Sequence, residues 1–421
     1  MPWLSIQSAF GLAVIIGLAW ALSERHRAFS LRQVSVGVAI QIILALVMLK
    51  WSLAREALLA LNSVVDALTQ ATIAGTGFVF GYLGGGAAPF EVTQPANAFV
   101  LGFQALPLVL VMSALSALLW HWRVLAWVTH GFAWALQKTM GLGGAVGLAS
   151  AANVFVGMVE APLLIRPYLE RMTRSELFIM MTVGLASVSG TVLVLYASVL
   201  EPVVDGALGQ ILVASLISLP AGITIARLMV PEDSLAVTTD VAKGEALTHY
   251  ESSMDAITRG TVDGLNLLLN IIAMLIVMVA LVALGNIVLG AFPDVAGESL
   301  SLQRIFGWIF APLVWLMGIP ASEMTAAGQL MGTKTILNEF IAYINLSQLP
   351  EGTLSARSSL IMIYGMCGFA NLGSVGILIG GLTSLVPTRR TDIVSLGTRA
   401  IVSGTLATCM TGAVVGLITL N

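Results

Sequence analysis

Charged side chains are scarce in this chain: lysine, arginine, aspartate and glutamate together make up 10% of its 421 residues, whereas soluble domains carry about 25%. A chain with so few charges and a mean hydropathy of +0.95 cannot solvate its own surface, so it is an integral membrane protein. The net charge is −3 and the sequence has no basic block or tail, which argues against nucleic acid as a partner. Functional residues are therefore expected inside apolar segments.

Cysteine and histidine are scarcer still. The two cysteines, Cys367 and Cys409, lie in apolar segments, and the four histidines are scattered along the chain. Such spacing predicts neither a disulfide nor a metal-binding cluster. The apolar segments also hold no Ser–His, Cys–His or His–Glu pair, so we expect that this protein is not an enzyme.

Long apolar runs, by contrast, are abundant. A helix needs about 20 such residues to cross a bilayer, and eight runs approach that length. They are Leu4–Leu22, Val34–Trp51, Phe99–Leu119, Leu177–Leu200, Gly209–Met229, Val262–Val288, Leu360–Val386 and Ile393–Leu420. We therefore predict an all-α polytopic membrane protein with eight transmembrane helices.

Two further apolar segments each contain an acid and are interrupted near it. Met140–Tyr168 breaks around Glu160, and Leu302–Leu346 breaks around Glu339. The arms beside each break are about half as long as a spanning helix, so each segment is predicted to form a re-entrant helical hairpin with its tip at membrane depth. An acid at that depth costs about 2.5–3.5 kcal/mol by insertion scales, and such residues are by default functional candidates.

The two hairpins belong to an internal repeat. Each is followed by an apolar run with a small, polar interruption, at residues 184–191 and 368–376. The offset is 179 from Glu160 to Glu339 and 184 from Ser187 to Asn371. Because an odd number of crossings separates the two copies, the repeat is predicted to be inverted. Inverted repeats with broken helices around a site at mid-membrane are typical of secondary transporters.

The remaining segments are assigned to the periphery. Ser52–Thr72 has the pattern of an amphipathic helix along the membrane interface, Gly75–Pro89 is predicted to be a tight loop, and Val230–Thr258 a water-exposed polar loop. The predicted domains are N-terminal scaffold helices with the interfacial helix (1–95), the third scaffold helix with a connecting helix (96–139), the first repeat (140–230), the polar loop with helix six (231–301) and the second repeat (302–421).

Arginines predict the orientation of the chain, because positive charge marks the cytoplasmic side of a membrane protein. If the N-terminus is outside, eight arginines beside the predicted helices fall on one side: Arg25, Arg27, Arg32, Arg166, Arg171, Arg174, Arg389 and Arg390. With eight crossings, both termini are then predicted to lie outside the cytoplasm.

Three motifs carry a family resemblance. They are G-x-x-E-A-P-L-L-I-R-P-Y-L (Gly157 to Leu169), N-E-F-I-A-Y (Asn338 to Tyr343) and C-G-F-A-N-L-G-S-V-G-I-L-I-G-G-L (Cys367 to Leu382). Together, and in order, they resemble the concentrative nucleoside transporter family from about Phe99 to the C-terminus. The resemblance implies an elevator-type homotrimer in a bacterial inner membrane, in which an ion gradient drives nucleoside uptake. In such a membrane the termini, which the arginines place outside the cytoplasm, are predicted to be periplasmic.

The resemblance also implies which residues form the site. The implied substrate-binding residues are Met158, Val159, Glu160, Val192, Glu339, Phe369, Asn371 and Ser374, with Glu160 on the base side and Glu339, Asn371 and Ser374 at the ribose. A carboxylate suits this role because it accepts from two hydroxyls. The implied ligands of a sodium ion are the side chains of Asn153 and Ser187 and carbonyls of Val156, Ser187 and Val188. Asp263 and Asn270, on helix six, are interpreted as packing polar groups.

One departure from the family pattern affects the substrate. Many members have Gln-Thr before the first-hairpin acid, where this chain has Met158-Val159. An apolar pair cannot form hydrogen bonds with the polar edge of a pyrimidine, so we hypothesise a preference for purines. Three alternatives stay open: coupling to a proton carried by Glu160 or Glu339, symport of another small polar solute on the same scaffold, and a channel.

Overall fold

The protein is described here by a computed structural model, which covers residues 2–28, 30–92, 98–232, 250–295, 297 and 299–419. Its regular elements are helices, numbered α1 to α19 in chain order. Their bounds are α1 Pro2–Ala21, α2 Leu31–Lys50, α3 Ser52–Phe80, α4 Leu101–Gln104, α5 Leu108–His121, α6 Val124–Met140, α7 Gly144–Asn153, α8 Glu160–Leu163, α9 Arg166–Leu169, α10 Arg174–Ala186, α11 Gly190–Leu200, α12 Ala207–Met229, α13 Ser253–Leu289, α14 Leu302–Leu316, α15 Met324–Ile336, α16 Glu339–Ser347, α17 Ala356–Met366, α18 Leu372–Leu385 and α19 Arg390–Ile418.

The structure has helices at all eight predicted membrane crossings. Within the described residues, seven stretches are long and apolar enough to span a membrane: Trp3–Ala21, Leu31–Lys50, Leu101–His121, Arg174–Leu200, Ala207–Met229, Ser253–Leu289 and Pro387–Ile418. The remaining predicted span, Leu360–Val386, is divided into α17 and α18 by residues 367–371. Arg174–Leu200 is likewise divided into α10 and α11 by residues 187–189. The polar interruptions in the sequence thus mark real helix breaks.

Both re-entrant hairpins are also present. In the first, α7 leads to a tip at residues 154–159 and returns through α8 and α9; in the second, α15 leads to a two-residue tip and returns through α16. The arms α7, α15 and α16 have 10, 13 and 9 residues. At 1.5 Å per residue such helices cross only about half of a hydrocarbon core of about 30 Å.

The repeat extends further than the hairpins. Equivalent helices begin at residues 124 and 302 (α6 and α14), 144 and 324 (α7 and α15), 174 and 356 (α10 and α17), and 207 and 390 (α12 and α19). The offset therefore runs from 178 to 183, close to the offsets of 179 and 184 found in the sequence. Three crossings lie between the copies, namely α10 with α11, α12 and α13, so the repeat is inverted.

Polar caps begin the half-helices. The side chains of Asn338 and Asn371 accept from the backbone N–H three residues on, at the starts of α16 and α18. Ser355 does the same for α17, and Thr173 forms a capping box with Glu176 at α10. Each cap satisfies an N–H that has no partner inside its helix. The half-helices can therefore begin at membrane depth without leaving a donor exposed to lipid.

Two regions of the molecule differ in burial. Within the most apolar 18 residues of each span, 94% are buried in α10–α11 and 89% in α12, whereas only 11% are buried in the long α13. α13 packs mainly along α5. The N-terminal helices pack elsewhere, α1 on α19 and α2 on α12. The α5–α13 contact is close because Gly260 carries no side chain: a Cβ there would lie 2.7 Å from Cβ of Ala117. The α5–α13 pair thus stands beside a compact body built from the two repeats.

The structure corrects four local predictions. α3 continues through Gly75 and Gly77 to Phe80, so the first part of the predicted tight loop is helical. α13 begins at Ser253, nine residues before the predicted helix six, and residues 233–249 of the polar loop lie outside the described residues. Residues 302–316 of the predicted second hairpin form a separate helix, which ends in a turn at Gly318, where φ is +102°. The returning arm of the first hairpin is two single-turn helices instead of one.

Candidate functional site

The hairpin tips and helix breaks meet around one cavity of about 170 Å³. Its walls come from both tips, from the α10–α11 and α17–α18 breaks, and from one face of α13. All eight residues expected to bind substrate line it: Met158, Val159, Glu160, Val192, Glu339, Phe369, Asn371 and Ser374. The structure therefore brings the two copies of the motif to one place, while the role of each residue stays a prediction.

Glu339 is held firmly at one end of the cavity. Its side chain is 3% exposed. Tyr196 donates its hydroxyl to Oε1 at 2.6 Å, and the Asn371 amide donates to Oε2 at 3.1 Å. Asn371 is fixed in turn because its Oδ1 accepts from the Ser374 N–H at 2.7 Å. Glu339 also lies in the first turn of α16, where the helix dipole favours a negative charge.

Tyr196 was missed by the sequence analysis. It lies on α11 four residues after Val192, so both side chains point from the same face of that helix into the cavity. Its ring stacks on Phe340 with centroids 5.7 Å apart and contacts Tyr343 at 5.5 Å. The spacing from Val192 is the only signal in the sequence, because the surrounding residues are ordinary apolar helix residues.

Glu160 lies at the other hairpin tip in a different setting. It begins the single-turn helix α8, and its side chain is exposed to the cavity. Gly157, at φ +110°, makes room for it: a Cβ on Gly157 would lie 2.7 Å from Glu160 Oε2 and 3.2 Å from the Ser189 Cβ. A side chain at Gly157 would therefore be strained by the backbone and would also displace the carboxylate.

The wall near Glu160 is apolar. Met158 is 8% exposed and packs on α10, where a Cβ at Gly184 would lie 3.1 Å from the Met158 Cβ. Val159 packs on α18, where a Cβ at Gly381 would lie 3.0 Å from Val159 Cγ1. Glycines on two different helices thus seat the pair that departs from the family pattern.

Helix α13 contributes a face that the sequence analysis did not predict. Asn270, Met274 and Met278 line the cavity at intervals of four residues. Asn270, which was interpreted from the sequence as a packing group, exposes its side chain to the site. Asp263 lies outside this cavity, in a second one. The i, i+4 spacing was visible in the sequence, but only the packing of α13 decided which of its faces meets the hairpins.

Asn153 and Ser187 meet behind the first hairpin tip. The Asn153 amide donates to Ser187 Oγ at 2.7 Å and to the Val183 carbonyl at 3.4 Å, and Ser187 Oγ donates to the same carbonyl at 3.0 Å. The other amide atom, Oδ1 of Asn153, is buried and has no hydrogen-bond partner among the described residues. A buried acceptor without a donor is costly, so this oxygen is available to a cation.

The surroundings of that oxygen fit an alkali cation. α7 ends at Asn153 and α10 ends at Ala186, so carbonyls in the last turn of each helix lack intrahelical partners. Val156 and Val188, whose carbonyls were expected to be ligands, lie beside these ends. Across the described chain, no group of three His, Cys, Asp or Glu residues could hold a metal. Hard carbonyl and amide oxygens at helix ends suit sodium rather than a transition metal.

A second cavity, of about 320 Å³, continues from the first. The two share Val156, Glu160, Thr191 and Leu267. The second lies between the first hairpin and the α5–α13 pair, and reaches Arg166, Tyr250 and Asp263. The site is thus connected to the face of the protein where the first-hairpin arginines lie.

Comparison with known proteins decides the family. Models described as "Na+ dependent nucleoside transporter N-terminus", "Nucleoside recognition" and "Na+ dependent nucleoside transporter C-terminus" match residues 10–83, 102–203 and 210–416. Nucleoside permease NupC of Helicobacter pylori is 36% identical, over 99% of this chain and 98% of the permease. The chain belongs to the concentrative nucleoside transporter family. It is a transporter and not an enzyme.

Other relatives and solved structures agree with this transporter's fold. Sodium/nucleoside cotransporter 1 of Rattus norvegicus is 32% identical, over 99% of this chain and 65% of the relative. The structure of CNTnw in an inward-facing substrate-bound state has a TM-score of 0.89 at 35% identity, covering 98% of this chain and 97% of that one. CNTnw in an intermediate state gives 0.89 at 36% identity, covering 99% of each chain. The fold is that of an elevator-type transporter.

Proposed function

We propose that this transporter imports nucleosides across a bacterial inner membrane together with sodium ions, by an elevator movement. The observation that carries the proposal is the convergence of two hairpin-tip acids on one cavity, beside a buried oxygen that has no hydrogen-bond partner in the described part of the chain. Glu160 and Glu339 supply charge for a polar solute, and Asn153 Oδ1 supplies a ligand for a cation. A solute site and an ion site that share one hairpin tip can be coupled.

The ribose is assigned to the Glu339 end. An ionised carboxylate offers about four acceptor positions, and Tyr196 and Asn371 use two of them. Two positions remain for a pair of hydroxyls, the arrangement that the 2′ and 3′ oxygens of a ribose present. Ser374, at the start of α18, faces the same end of the cavity. Charge-assisted hydrogen bonds of this kind are strong and directional.

The base is assigned to the apolar wall at Met158 and Val159, and we propose that purines are preferred there. Met158, Val192 and Phe369 offer little to the polar edge of a pyrimidine. A purine has the larger apolar face and gains more from burial, at about 25 cal/mol per Å². Methionine sulfur also makes favourable contacts with aromatic rings, and Met274 of α13 lies across the cavity.

Sodium is proposed as the coupling ion because its site and the base wall are in contact. A Cβ placed at Gly184 would lie 3.1 Å from the Met158 Cβ and 3.9 Å from Asn153 Oδ1. An ion held by Asn153 and Ser187 would therefore order the tip that carries Met158 and Glu160. Each ligand then raises the affinity for the other, since coupling between two sites is reciprocal.

The moving unit is proposed to be the two hairpins with the α10–α11 and α17–α18 helices, sliding against the α5–α13 pair. The second cavity supports this division because it lies between the hairpin and that pair. It leads from Glu160 towards Arg166, on the side that the arginines assign to the cytoplasm. The structure then corresponds to an inward-open state with both termini periplasmic.

A homotrimer is proposed from the resemblance to the family. The outer face of α13 is compatible with it: Ile276, Leu284 and Ile287 are exposed and apolar. In a membrane such a face contacts lipid or another protomer.

The test is uptake of radiolabelled adenosine and uridine into proteoliposomes under an imposed sodium or proton gradient. We expect accumulation with sodium alone and a faster initial rate for adenosine. Accumulation only with a proton gradient would keep nucleoside transport and move the coupling to a carboxylate. No accumulation of either nucleoside by folded protein would assign the scaffold to another solute.

A further inference from the structure

One charged residue of the hairpins takes no part in the function proposed above. Lys334 lies in the last turn of α15, and its side chain is completely buried. The hydrogen bond shown for its Nζ is a long one, 3.4 Å to Thr408 Oγ1. In the described part of the chain no carboxylate forms an ion pair with it. A charge at membrane depth costs about 2.5–3.5 kcal/mol by insertion scales, so an ammonium kept there calls for a function.

The repeat relates Lys334 to the proposed sodium site. Asn153 is the tenth residue of α7, and Lys334 is the eleventh residue of the equivalent α15. Asn153 bonds to Ser187, the residue that directly follows α10. Lys334 donates to Thr408, and a Cβ on Gly368, next to Cys367, would lie 2.8 Å from Thr408 Cγ2. The ammonium therefore lies near the residue that directly follows the equivalent α17. The two side chains therefore lie near the C-terminal ends of equivalent helices, one residue out of register.

The electrostatic potential of the helix ends favours a positive charge at both positions. In each copy two half-helices end close together. In the first, Asn153 at the end of α7 bonds to Ser187 after α10; in the second, Lys334 near the end of α15 bonds to Thr408, which packs beside Gly368 after α17. A helix C-terminus carries the equivalent of about half a negative charge, and its last carbonyls lack partners. Each convergence therefore favours a cation. The first copy offers only neutral side chains there, Asn153 and Ser187, whereas the second has an ammonium of its own.

The two positions lie on either side of one tightly packed crossing. A Cβ on Gly368 would lie 2.8 Å from Thr408 Cγ2, next to the ammonium, and 2.9 Å from the Leu185 carbonyl oxygen of α10. The breaks of the two repeats thus touch. Both cation positions belong to one packed unit and move together if that unit moves.

We propose that the Lys334 ammonium is a built-in cation, which occupies in the second repeat the position that sodium takes in the first. The inference rests on the proposed function, because it needs the first-repeat ion site. It follows that the second repeat is closed to sodium and that each chain binds one ion. Lys334 also places a cationic side chain in the arm that leads to the Glu339 tip of the same hairpin.

The test counts sodium ions bound at equilibrium by the purified full-length protein, with radioactive sodium. We expect about one ion per chain for the wild type, about two for Lys334→Gln and about one for Lys334→Met. Glutamine removes the charge and adds an amide oxygen like that of Asn153, whereas methionine removes the charge and adds no hard ligand. The melting temperature of each variant checks that it is folded. The variants need not transport nucleosides, because the experiment measures only bound sodium.

Each outcome has a distinct meaning. One ion for a folded Lys334→Gln, or two for the wild type, would overturn the inference. If Lys334→Gln does not fold, Asn153→Ala replaces it: no ion is expected, and one remaining ion would show that the second repeat binds sodium despite the lysine. No ion in the wild type would instead contradict the proposed sodium site itself.

Discussion

The two hairpin tips are copies of one motif, yet they hold their acids differently. Glu339 is buried, accepts from Tyr196 and Asn371, and begins a helix of nine residues. Glu160 is exposed to the cavity and begins a helix of four residues. The second tip is therefore organised before a ligand arrives, while the first is organised mainly by Gly157 and by apolar packing.

This difference matches the two ends of a nucleoside. The ribose is common to all ribonucleosides, and a preorganised site saves the free energy of ordering side chains on binding. The base varies, and the tip that faces it presents flexible or apolar side chains that one substitution can change. Affinity is thus expected from the second tip and selectivity from the first.

The largest expected effect is at Glu339. Glu339→Gln removes a charged acceptor of two substrate hydroxyls, each worth about 1.5–3 kcal/mol, so kcat/KM for adenosine should fall by about 100-fold or more. Glu160→Gln should cost less, about 10-fold, because that side chain is exposed to the cavity. Uptake normalised to protein in the membrane measures both. A larger loss at Glu160 than at Glu339 would reverse the comparison of the tips.

Tyr196 tests whether the second tip is preorganised. Tyr196→Phe removes one donor to Glu339 but keeps the ring that stacks on Phe340. We expect nucleoside affinity to fall about 10-fold. The matched control is Tyr364→Phe, which removes another buried hydroxyl, bonded to Gln210 Oε1 at 2.6 Å outside the cavity. Equal losses of affinity in both variants, measured by nucleoside binding in detergent, would mean that Tyr196 acts only on stability.

Met158 tests the selectivity of the first tip. Met158→Gln restores a polar group beside the base, and the ratio of uridine to adenosine uptake should rise by about 10-fold, the size of effect that one pocket contact has on discrimination. Competition of labelled uridine uptake by adenosine and by cytidine measures the change. A wild type that already prefers pyrimidines would contradict the proposed role of the apolar wall.

The smallest effect is expected where the broken helices begin. Arg357, near the start of α17, is 7% exposed and donates to the Gly318 carbonyl at 2.6 Å. Its counterpart Arg174 begins α10 and donates to Glu24, outside the spans, at 2.9 Å, in a partly exposed ion pair. The hydrogen bond from Arg174 holds the pKa of Glu24 below its usual range.

Removing that ion pair should have a small, pH-dependent effect. Because the folded-state pKa of Glu24 is depressed, the pair stabilises the protein above the ordinary glutamate pKa of about 4.3, and its contribution disappears as pH falls through the depressed value. Glu24→Gln should thus lower stability by less than about 1 kcal/mol at pH 7. Melting temperatures of the two proteins in detergent should converge at acid pH. A gap that widens there would contradict this assignment.

Much of the architecture could be predicted because it depends on local patterns. The length of the apolar runs predicted the membrane spans, and polar interruptions within two of them predicted the helix breaks at residues 187–189 and 367–371. Acids in apolar sequence predicted both hairpin tips, and the offset between them predicted the repeat. All eight residues expected to bind substrate line one cavity, because the repeat brings its two tips together.

Other features could not be predicted, because they depend on which helix faces which. Asn270 looked like a packing group until α13 was seen to lie against the cavity. Tyr196 lies in an ordinary apolar helix. Its role in the site comes from its hydrogen bond to Glu339, which is 143 residues away in the sequence. The continuation of α3 through Gly75 and Gly77 went against the helix propensity of glycine, which is weak enough for tertiary packing to override.

The sequence by itself determined that this chain crosses a membrane, where its helices break and which residues stand at the breaks. These properties follow from hydrophobic length and backbone hydrogen bonding, and both are local. Only the tertiary structure decided that one acid is held by donors while its copy is open, and that the second hairpin buries a lysine near the end of the arm equivalent to α7. These properties depend on distances between segments about 180 residues apart, which periodicity along one chain does not specify.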